Sequence, residues 1–137
     1  MDSLQFAKYI LSYMLHRYAP ISNVQLQCIM YLVNRQYYAR TKQWILDEHF
    51  VAYPLYPVCE SVYDTYKEYG PSKIYDGDND GLPKSANEQL LQQLLEGFVG
   101  ISLSSLFMQI QKSTAWKNNP RYSRIPLEAI EMEAIGA

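Results

Sequence analysis

Residues 50–70 read Phe50-Val-Ala-Tyr-Pro-Leu-Tyr-Pro-Val-Cys-Glu-Ser-Val-Tyr-Asp-Thr-Tyr-Lys-Glu-Tyr-Gly70, an extended aromatic segment followed by a Pro-rich corner and a helical pattern. Pro54 and Pro57 lack a backbone N–H and fix φ, so they end a strand ladder and suit the first turn of a helix. Tyrosines then recur at helical spacing, at Tyr63, Tyr66 and Tyr69. The chemistry of this stretch is mainly shape and aromatic surface, which indicates binding rather than catalysis.

Composition indicates one ordinary domain with a real core. The chain has 137 residues, of which 48% are apolar and 19% charged. Fourteen acids against twelve cations give a formal net charge of −2, which argues against both a nucleic-acid groove and a strongly acidic mimic of nucleic acid. Thirteen tyrosines are the compositional anomaly. Most of them are expected to complete the edges of a small core, and tyrosine is also suited to protein interfaces.

The two cysteines, Cys28 and Cys59, are not paired in a Cys-x-x-Cys motif, so a cytosolic chain with reduced thiols is expected. No secretory leader is recognised after Met1, and no apolar run approaches the length of a membrane span. We therefore predict a cytoplasmic protein that does not associate with membranes.

Two helices are predicted before residue 43. The first runs from about Ser3 to Arg17, where a stripe recurs at spacings of three and four: Leu4, Ala7, Leu11, Met14, Leu15 and Tyr18. The second begins at a capping box, Ser22-Asn-Val-Gln25, with Ile21 and Leu26 placed for a hydrophobic staple. Its buried stripe is predicted to be Leu26, Ile29, Met30, Val33 and Tyr37.

The rest of the chain predicts a small sheet and further helices. Alternating residues favour a strand over 43–52, with 73–76 as its partner. A helix is expected from near Pro57 to Gly70, with Val58, Val62, Tyr66 and Tyr69 facing inward. Later helices are expected to be capped by Ser85 and Ser102, and a last one to open at Pro126. The fold class is mainly α (α+β): one compact helical domain over residues 1–137, with about five to six helices and a small β-hairpin or two-stranded sheet.

Candidate metal and catalytic motifs are incomplete. The loop Asp76-x-Asp78-x-Asp80-Gly81 matches the first half of an EF-hand, but position twelve is Asn87 instead of Glu and Pro83 interrupts the loop. His16 and His49 lie in different elements, and Asp47 and Glu48 point to opposite faces of the predicted strand. We therefore predict no catalytic residues, no metal and no cofactor, and whether the acidic loop binds an ion is left open.

Four motifs follow one another along the chain. They are Tyr9-Ile10-Leu11, Val24-Gln25-Leu26-Gln27-Cys28-Ile29-Met30-Tyr31, Ala52-Tyr53-Pro54-Leu55-Tyr56-Pro57-Val58 and Val62-Tyr63-Asp64-Thr65-Tyr66-Lys67-Glu68-Tyr69-Gly70. In order and spacing they resemble the Panacea domain family, a module found in bacterial toxin–antitoxin operons, prophages and phages. The chain departs from the family pattern at Cys28, Tyr53 and Tyr56, where Lys, Trp and Gly are usual. Of the family's late Thr-His and Pro-Trp pattern, this chain keeps the tryptophan as Trp116, with Ala115 in place of the proline and no histidine nearby. Residues Ile125–Ile130 resemble the family's final helix.

The resemblance implies a mostly helical protein that neutralises a partner protein by binding it directly, without catalysis or a cofactor. The leading hypothesis is an antitoxin-like inhibitor whose contact surface includes Tyr53, Tyr56, Tyr63 and Tyr66, because large rings lose little entropy on binding. For Tyr66 and Tyr69, packing of the predicted third helix against the first two is the preferred interpretation.

Alternatives remain open. The partner is a cognate toxin or, for a phage-encoded anti-defence inhibitor, a host immune effector, and the neighbouring genes distinguish the two. A nucleic-acid-binding regulator is a further alternative, although no nucleic-acid partner is expected from the charge. Homo-oligomerisation and the identity of the partner are not determined by the sequence.

Overall fold

The computed structural model describes residues 1–46 and 48–136. It contains seven α-helices, a short two-stranded sheet and a 3-10 turn over Lys67–Tyr69 within those residues. The helices are α1 Ser3–His16, α2 Asn23–Thr41, α3 Glu60–Tyr66, α4 Glu88–Glu96, α5 Leu103–Gln111, α6 Thr114–Lys117 and α7 Leu127–Gly136; the strands are β1 Val51–Ala52 and β2 Pro57–Val58. The predicted mainly α class with a small hairpin is confirmed, and the additional helix is the single turn α6.

Helix α2 is the centre of the fold. It packs against α1, α3, α4, α5, α7 and β2. The predicted capping box is present, since the Gln25 N–H donates to Ser22 Oγ and the Ser22 N–H donates to Gln25 Oε1 at 2.8 Å. The predicted stripe is buried, but so are Cys28, Tyr31 and Asn34 on other faces. A helix surrounded on all sides loses the one-sided pattern of a surface helix.

Helix α1 ends at His16, as its pattern predicts. Tyr18 does not continue the buried stripe. It lies beyond the end of α1 with φ of 57° and a side chain 96% exposed. The chain reverses there because the N–H groups of Tyr18 and Ala19 bond to carbonyls of the last turn of α1.

The small sheet lies elsewhere than the sequence predicted. Strand β1 pairs antiparallel with β2, with Val51 opposite Val58 and Ala52 opposite Pro57. The predicted strand over 43–52 is wrong except for its last two residues, and Asp47 within it lies outside the described residues. The Asn34 side chain bonds both the N–H and the carbonyl of Leu46, at 3.0 and 2.8 Å, and so holds this segment as a loop on α2.

Residues 73–76, predicted to pair with the first strand, instead cross the turn between α1 and α2. The N–H of Ile74 donates to the carbonyl of Ile21 at 2.8 Å, and the Ile74 side chain is buried. The actual second neighbour of β1 comes from the C-terminal part of the chain, because Val51 forms an antiparallel bridge with Arg124. That pairing joins residues far apart in sequence and has no local signal.

Helix α3 begins at Glu60 rather than near Pro57, because Pro57 is taken into β2. Val58, Val62 and Tyr66 are buried as predicted, whereas Tyr69 is exposed at the 3-10 turn that follows. Gly70 ends this turn with φ of 57°, a conformation that glycine adopts without strain.

The predicted caps of the later helices are confirmed in part. Ser102 caps α5 as expected, by accepting from the Ser105 N–H at 3.1 Å. Helix α4 is capped by Asn87 instead of Ser85, since Asn87 Oδ1 accepts from the Leu90 N–H at 3.0 Å. Helix α7 follows Pro126 as predicted and buries Ile130 and Ala134.

Helix α7 is joined to α2 and α6 by one carboxylate. Glu133 accepts from Arg35 at 2.9 Å, from the Ser113 hydroxyl at 2.9 Å, and from the Thr114 hydroxyl and Ala115 N–H at 3.2 Å each. We call these five residues the Glu133 cluster. Burial acts to raise the pKa of Glu133, but the bonds from Arg35, Ala115 and Ser113 outweigh it, so the pKa lies below its usual value.

One buried polar atom has no partner. The Tyr66 hydroxyl is the only fully buried side-chain nitrogen or oxygen that makes no hydrogen bond within the described residues. Burial raises the pKa of Tyr66 to about 12. Tyr66 is 3% exposed, so its ring is part of the core.

We expect Tyr66→Phe to leave the protein as stable as the parent or to stabilise it by about 1 kcal/mol, because an unpaired buried hydroxyl costs desolvation free energy. Denaturant unfolding of the two proteins measures this difference. A loss of more than about 1 kcal/mol would mean that the hydroxyl has a partner in solution.

Among the described residues, no helix combines the length and the apolar character needed to cross a bilayer.

Candidate interface at the hairpin tip

The loop between β1 and β2 projects an apolar side chain into solvent. Residues 53–56 form this loop, and Leu55 at its end is 59% exposed with φ of 76°. A left-handed backbone costs a residue with a Cβ about 1 to 2 kcal/mol relative to glycine. The fold therefore holds an exposed leucine in a strained conformation, an arrangement that clusters at ligand and partner contacts.

Trp116 of α6 supports the loop through a hydrogen bond. The indole Nε1–H donates to the carbonyl of Tyr53 at 2.9 Å, and the indole itself is buried. The Arg121 guanidinium lies over this ring, 4.5 Å from its centroid. It also donates to the carbonyls of Trp116 and Asn119 at 2.6 and 2.8 Å. These bonds fix the loop before any partner arrives.

A second strained aromatic residue lies beside the loop. Tyr122 has φ of 67° and is 68% exposed, and its ring centroid lies 5.2 Å from that of Tyr53 in an edge-to-face arrangement. Its N–H donates to the carbonyl of Ala52 at 2.8 Å. The segment around Arg124 thus runs alongside β1 and brings Tyr122 to the tip of the hairpin.

We call Tyr53, Leu55 and Tyr122 the tip patch. It presents three large apolar side chains from two distant parts of the sequence on a framework of backbone hydrogen bonds. Apolar side chains exposed near one another mark interaction sites more often than scattered single residues do. The rigid framework also means that little conformational entropy is lost on binding.

Of the four tyrosines predicted to form the contact surface, the structure brings Tyr53, Tyr56 and Tyr63 near one another and buries Tyr66. Tyr53 is in the tip patch, and Tyr63 is half-buried with its ring centroid 6.3 Å from that of Tyr53. Tyr56 is half-buried, lies close to Tyr63 and stacks on Phe107, with ring centroids 6.0 Å apart. Tyr66 is buried in the core and offers no ring surface to a partner. We therefore remove Tyr66 from the proposed contact surface and treat Tyr56 as a packing residue.

The residues that sequence reasoning missed are Leu55 and Tyr122. Leu55 carries no local signal, because nothing in the sequence requires a left-handed backbone at a leucine. Tyr122 lies far along the chain, and only the pairing of its segment with β1 brings it to the tip. Trp116 was singled out by the family resemblance, and its bond to Tyr53 gives that tryptophan a structural role.

Burial and hydrogen bonding raise the pKa values of two tyrosines of the hairpin loop and of both cysteine thiols. The hydrogen bond that the Tyr53 hydroxyl donates to Glu60, at 2.9 Å, raises the pKa of that tyrosine. Burial raises the pKa of Tyr56 to about 12. Burial also raises the pKa of the Cys59 thiol and raises that of Cys28 to about 12, so both thiols stay protonated and poorly nucleophilic.

Within residues 1–46 and 48–136, no group of three or more His, Cys, Asp or Glu side chains is arranged to hold a metal ion. In the acidic loop, Asp76 Oδ1 accepts from the Asp78 N–H at 3.0 Å, and Asn79 Oδ1 accepts from the Gly81 N–H at 2.9 Å. These are the local turns that Asp and Asn form with their own backbone.

Comparison with known proteins identifies one family. The model of the antitoxin SocA-like Panacea domain matches residues 26–117, about two thirds of the chain. The matched range runs from α2 to α6 and includes Tyr53, Leu55 and Trp116 of the hairpin tip, but it ends before Tyr122. No curated protein and no solved structure matches the chain.

Proposed function

The chain belongs to the antitoxin SocA-like Panacea domain family, and we propose that it neutralises a partner protein in the bacterial cytoplasm by binding it directly and blocking its working surface. Family membership supports an antitoxin-type role in general. The observation that carries the finer proposal is the tip patch, in which the fold maintains two strained, exposed residues, Leu55 on the hairpin loop and Tyr122 against the ring of Tyr53.

Occlusion requires a preformed surface rather than a reactive group. The tip patch meets that requirement because the Tyr53 carbonyl accepts from Trp116 and the Tyr122 N–H donates to β1. Large rigid side chains of this kind supply most of the binding energy in protein interfaces. The two thiols are buried and protonated, which supports the proposal that the protein acts without cysteine catalysis.

We expect Leu55→Asn to weaken neutralisation strongly while leaving the fold intact. Asparagine adopts a left-handed backbone readily, so the replacement removes the apolar side chain and relieves strain at once. Loss of one central anchor is expected to lower partner affinity about 10- to 100-fold. The measurement is growth of cells that co-express the variant with the toxin encoded beside it, together with a melting curve of the purified variant.

Tyr18→Asn is the matched control. Tyr18 has the same left-handed backbone and is more exposed than Leu55. It follows the last turn of α1, whereas the first turn of α1 is the end that bonds to α3 beside the hairpin. The control should protect cells as the parent does. Full protection by Leu55→Asn at parental expression would exclude the tip patch as the neutralising surface, and failure of the parent chain to bind or protect would refute the proposed function itself.

A further inference from the structure

A groove runs beside the tip patch, between the hairpin loop and the loop after α6. It encloses about 480 Å³. It is lined by Pro54 and Leu55 from the hairpin loop and by residues of α6 and the loop after it, among them Trp116, Pro120, Lys117 and Arg121. The groove therefore combines apolar and aromatic walls with two cations.

The chain segment that contributes Trp116, Lys117 and Arg121 to the groove differs in net charge from the rest of the chain. Between Gly97 and Leu127 there are four cations, Lys112, Lys117, Arg121 and Arg124, and no acid. Outside that segment fourteen acids face eight cations. No carboxylate is among the described residues that line the groove. A site of one sign within a chain of the opposite net sign attracts a ligand of complementary charge.

Arg121 and Lys117 contribute to the groove in different ways. The guanidinium of Arg121 donates to the carbonyls of Trp116, Lys117 and Asn119 at 2.6, 3.3 and 2.8 Å, so its donors are largely used, and it belongs to neither ion pair found among the described residues. Lys117 is exposed, and its ammonium joins neither of the two ion pairs found in the described part of the chain. Lys117 is thus the donor available to an incoming group.

We propose that this groove receives an acidic, extended segment of the partner protein, with a carboxylate on Lys117 and a neighbouring apolar side chain between Leu55 and Trp116. This proposal rests on the proposed function and adds the chemical character of the partner segment that is bound. The positive charge of Arg121 adds long-range attraction. The apolar walls then supply affinity, and the ammonium selects for a carboxylate and sets the orientation of the segment.

A protein segment fits this groove better than a nucleic acid. Only one exposed ammonium is available within the groove, whereas tight binding of a phosphate backbone usually requires several. The aromatic and apolar lining of the groove also suits an extended peptide with an apolar side chain.

The test is selection of random dodecapeptides displayed on phage against the full chain, the Lys117→Glu variant and the Lys112→Glu variant. Lys112 is an exposed lysine at the end of α5 and does not line the groove, so it is the matched control. Far-ultraviolet circular dichroism establishes that both variants are folded. Binding of the enriched peptides is then measured by fluorescence anisotropy at low and high salt.

We expect the parent and Lys112→Glu to enrich peptides containing Asp or Glu beside an aromatic residue or leucine. These peptides should bind Lys117→Glu about tenfold more weakly, and salt should weaken their binding to the parent. The inference is overturned if no peptide is enriched, if the enriched peptides lack acids, or if they bind Lys117→Glu as well as the parent. Binding of labelled DNA in place of acidic peptides, lost in Lys117→Glu, would overturn it in favour of a nucleic-acid site.

Failure here is distinguishable from failure of the proposed function. If Leu55→Asn abolishes neutralisation while no acidic peptide is selected, the tip patch still binds the partner and only the acidic occupant of the groove is wrong. If acidic peptides are selected but Leu55→Asn protects cells fully, the groove binds such segments and neutralisation uses another surface.

Discussion

Replacing Glu133 by alanine is expected to lower the free energy of unfolding by about 3 to 5 kcal/mol, because it leaves the guanidinium of Arg35 largely buried without its counterion. The two side chains keep only 20% and 12% of their surface exposed, and the atoms Arg35 Nη1 and Glu133 Oε2 are 2.9 Å apart. The same change also strips an acceptor from Ser113, Thr114 and the Ala115 N–H. Globular domains have about 5 to 15 kcal/mol of stability in total, so urea unfolding should show a large shift.

Two further variants separate the ion pair from the packing of α7. The double replacement Arg35→Leu with Glu133→Leu should recover most of the loss, because two apolar side chains remove the buried charge altogether. Glu128→Ala, an exposed acid in the first turn of the same helix, should cost less than about 1 kcal/mol. If Glu133→Ala and Glu128→Ala destabilised the protein equally, the Glu133 cluster would not hold α7 in place.

The same cluster should make stability depend on pH in acid. The pKa of Glu133 is lowered in the folded protein relative to 4.5 for the free side chain. The ionised form is therefore favoured by folding, and its contribution is complete above the unfolded pKa and lost as pH falls through the folded one. Glu133→Ala should flatten this part of the stability profile, and an unchanged acid slope would contradict the assignment.

The second large effect is expected for Trp116→Ala, which should cost about 3 to 5 kcal/mol. The change removes a buried indole, the hydrogen bond to the Tyr53 carbonyl and the ring under Arg121. The loss should be local as well as global, because the hairpin loop loses the side chain that supports it. Denaturant unfolding gives the global cost, and amide exchange at residues 53–56 gives the local one.

Trp116→Phe is the matched variant for this experiment. Phenylalanine keeps an aromatic ring under Arg121 but has no N–H for Tyr53, so the cost should fall to about 1 to 3 kcal/mol. The tip patch of this variant should also bind its partner more weakly, since the loop is less well fixed. If Trp116→Ala lost less than about 1 kcal/mol and amide exchange at the loop were unchanged, α6 would not brace the hairpin.

Local patterns predicted most of the helices. The capping box at Ser22 and the cap at Ser102 depend on residues within one helical turn of each other, and both are present. The end of α1 and the start of α7 after Pro126 were predicted for the same reason. Asn87 replaced Ser85 as the cap of α4, and its N–H is held by the Tyr37 hydroxyl at 2.9 Å, a contact from α2 that no local pattern contains.

The sheet and the candidate site were predicted less well, because both depend on distant contacts. The alternating residues of 43–52 favour a strand, but Asn34 holds Leu46 in a loop and Trp44 stacks on Tyr38 at 4.3 Å. Among the predicted contact tyrosines, Tyr53 lies in the tip patch, whereas Tyr66 is in the core. A period of three or four residues identifies one face of a helix, but it does not say which neighbour covers that face.

The amino-acid sequence by itself determined the helical class, the central capping box and the family, since these depend on residues close together along the chain or on motifs in fixed order. Only the tertiary structure decided where the hairpin pairs and which side chains stay exposed at its tip. The reason is that Tyr122 reaches Tyr53, and Trp116 reaches its carbonyl, through closures of more than sixty residues. These long-range contacts depend on how the helices pack around α2, which a local sequence pattern does not predict.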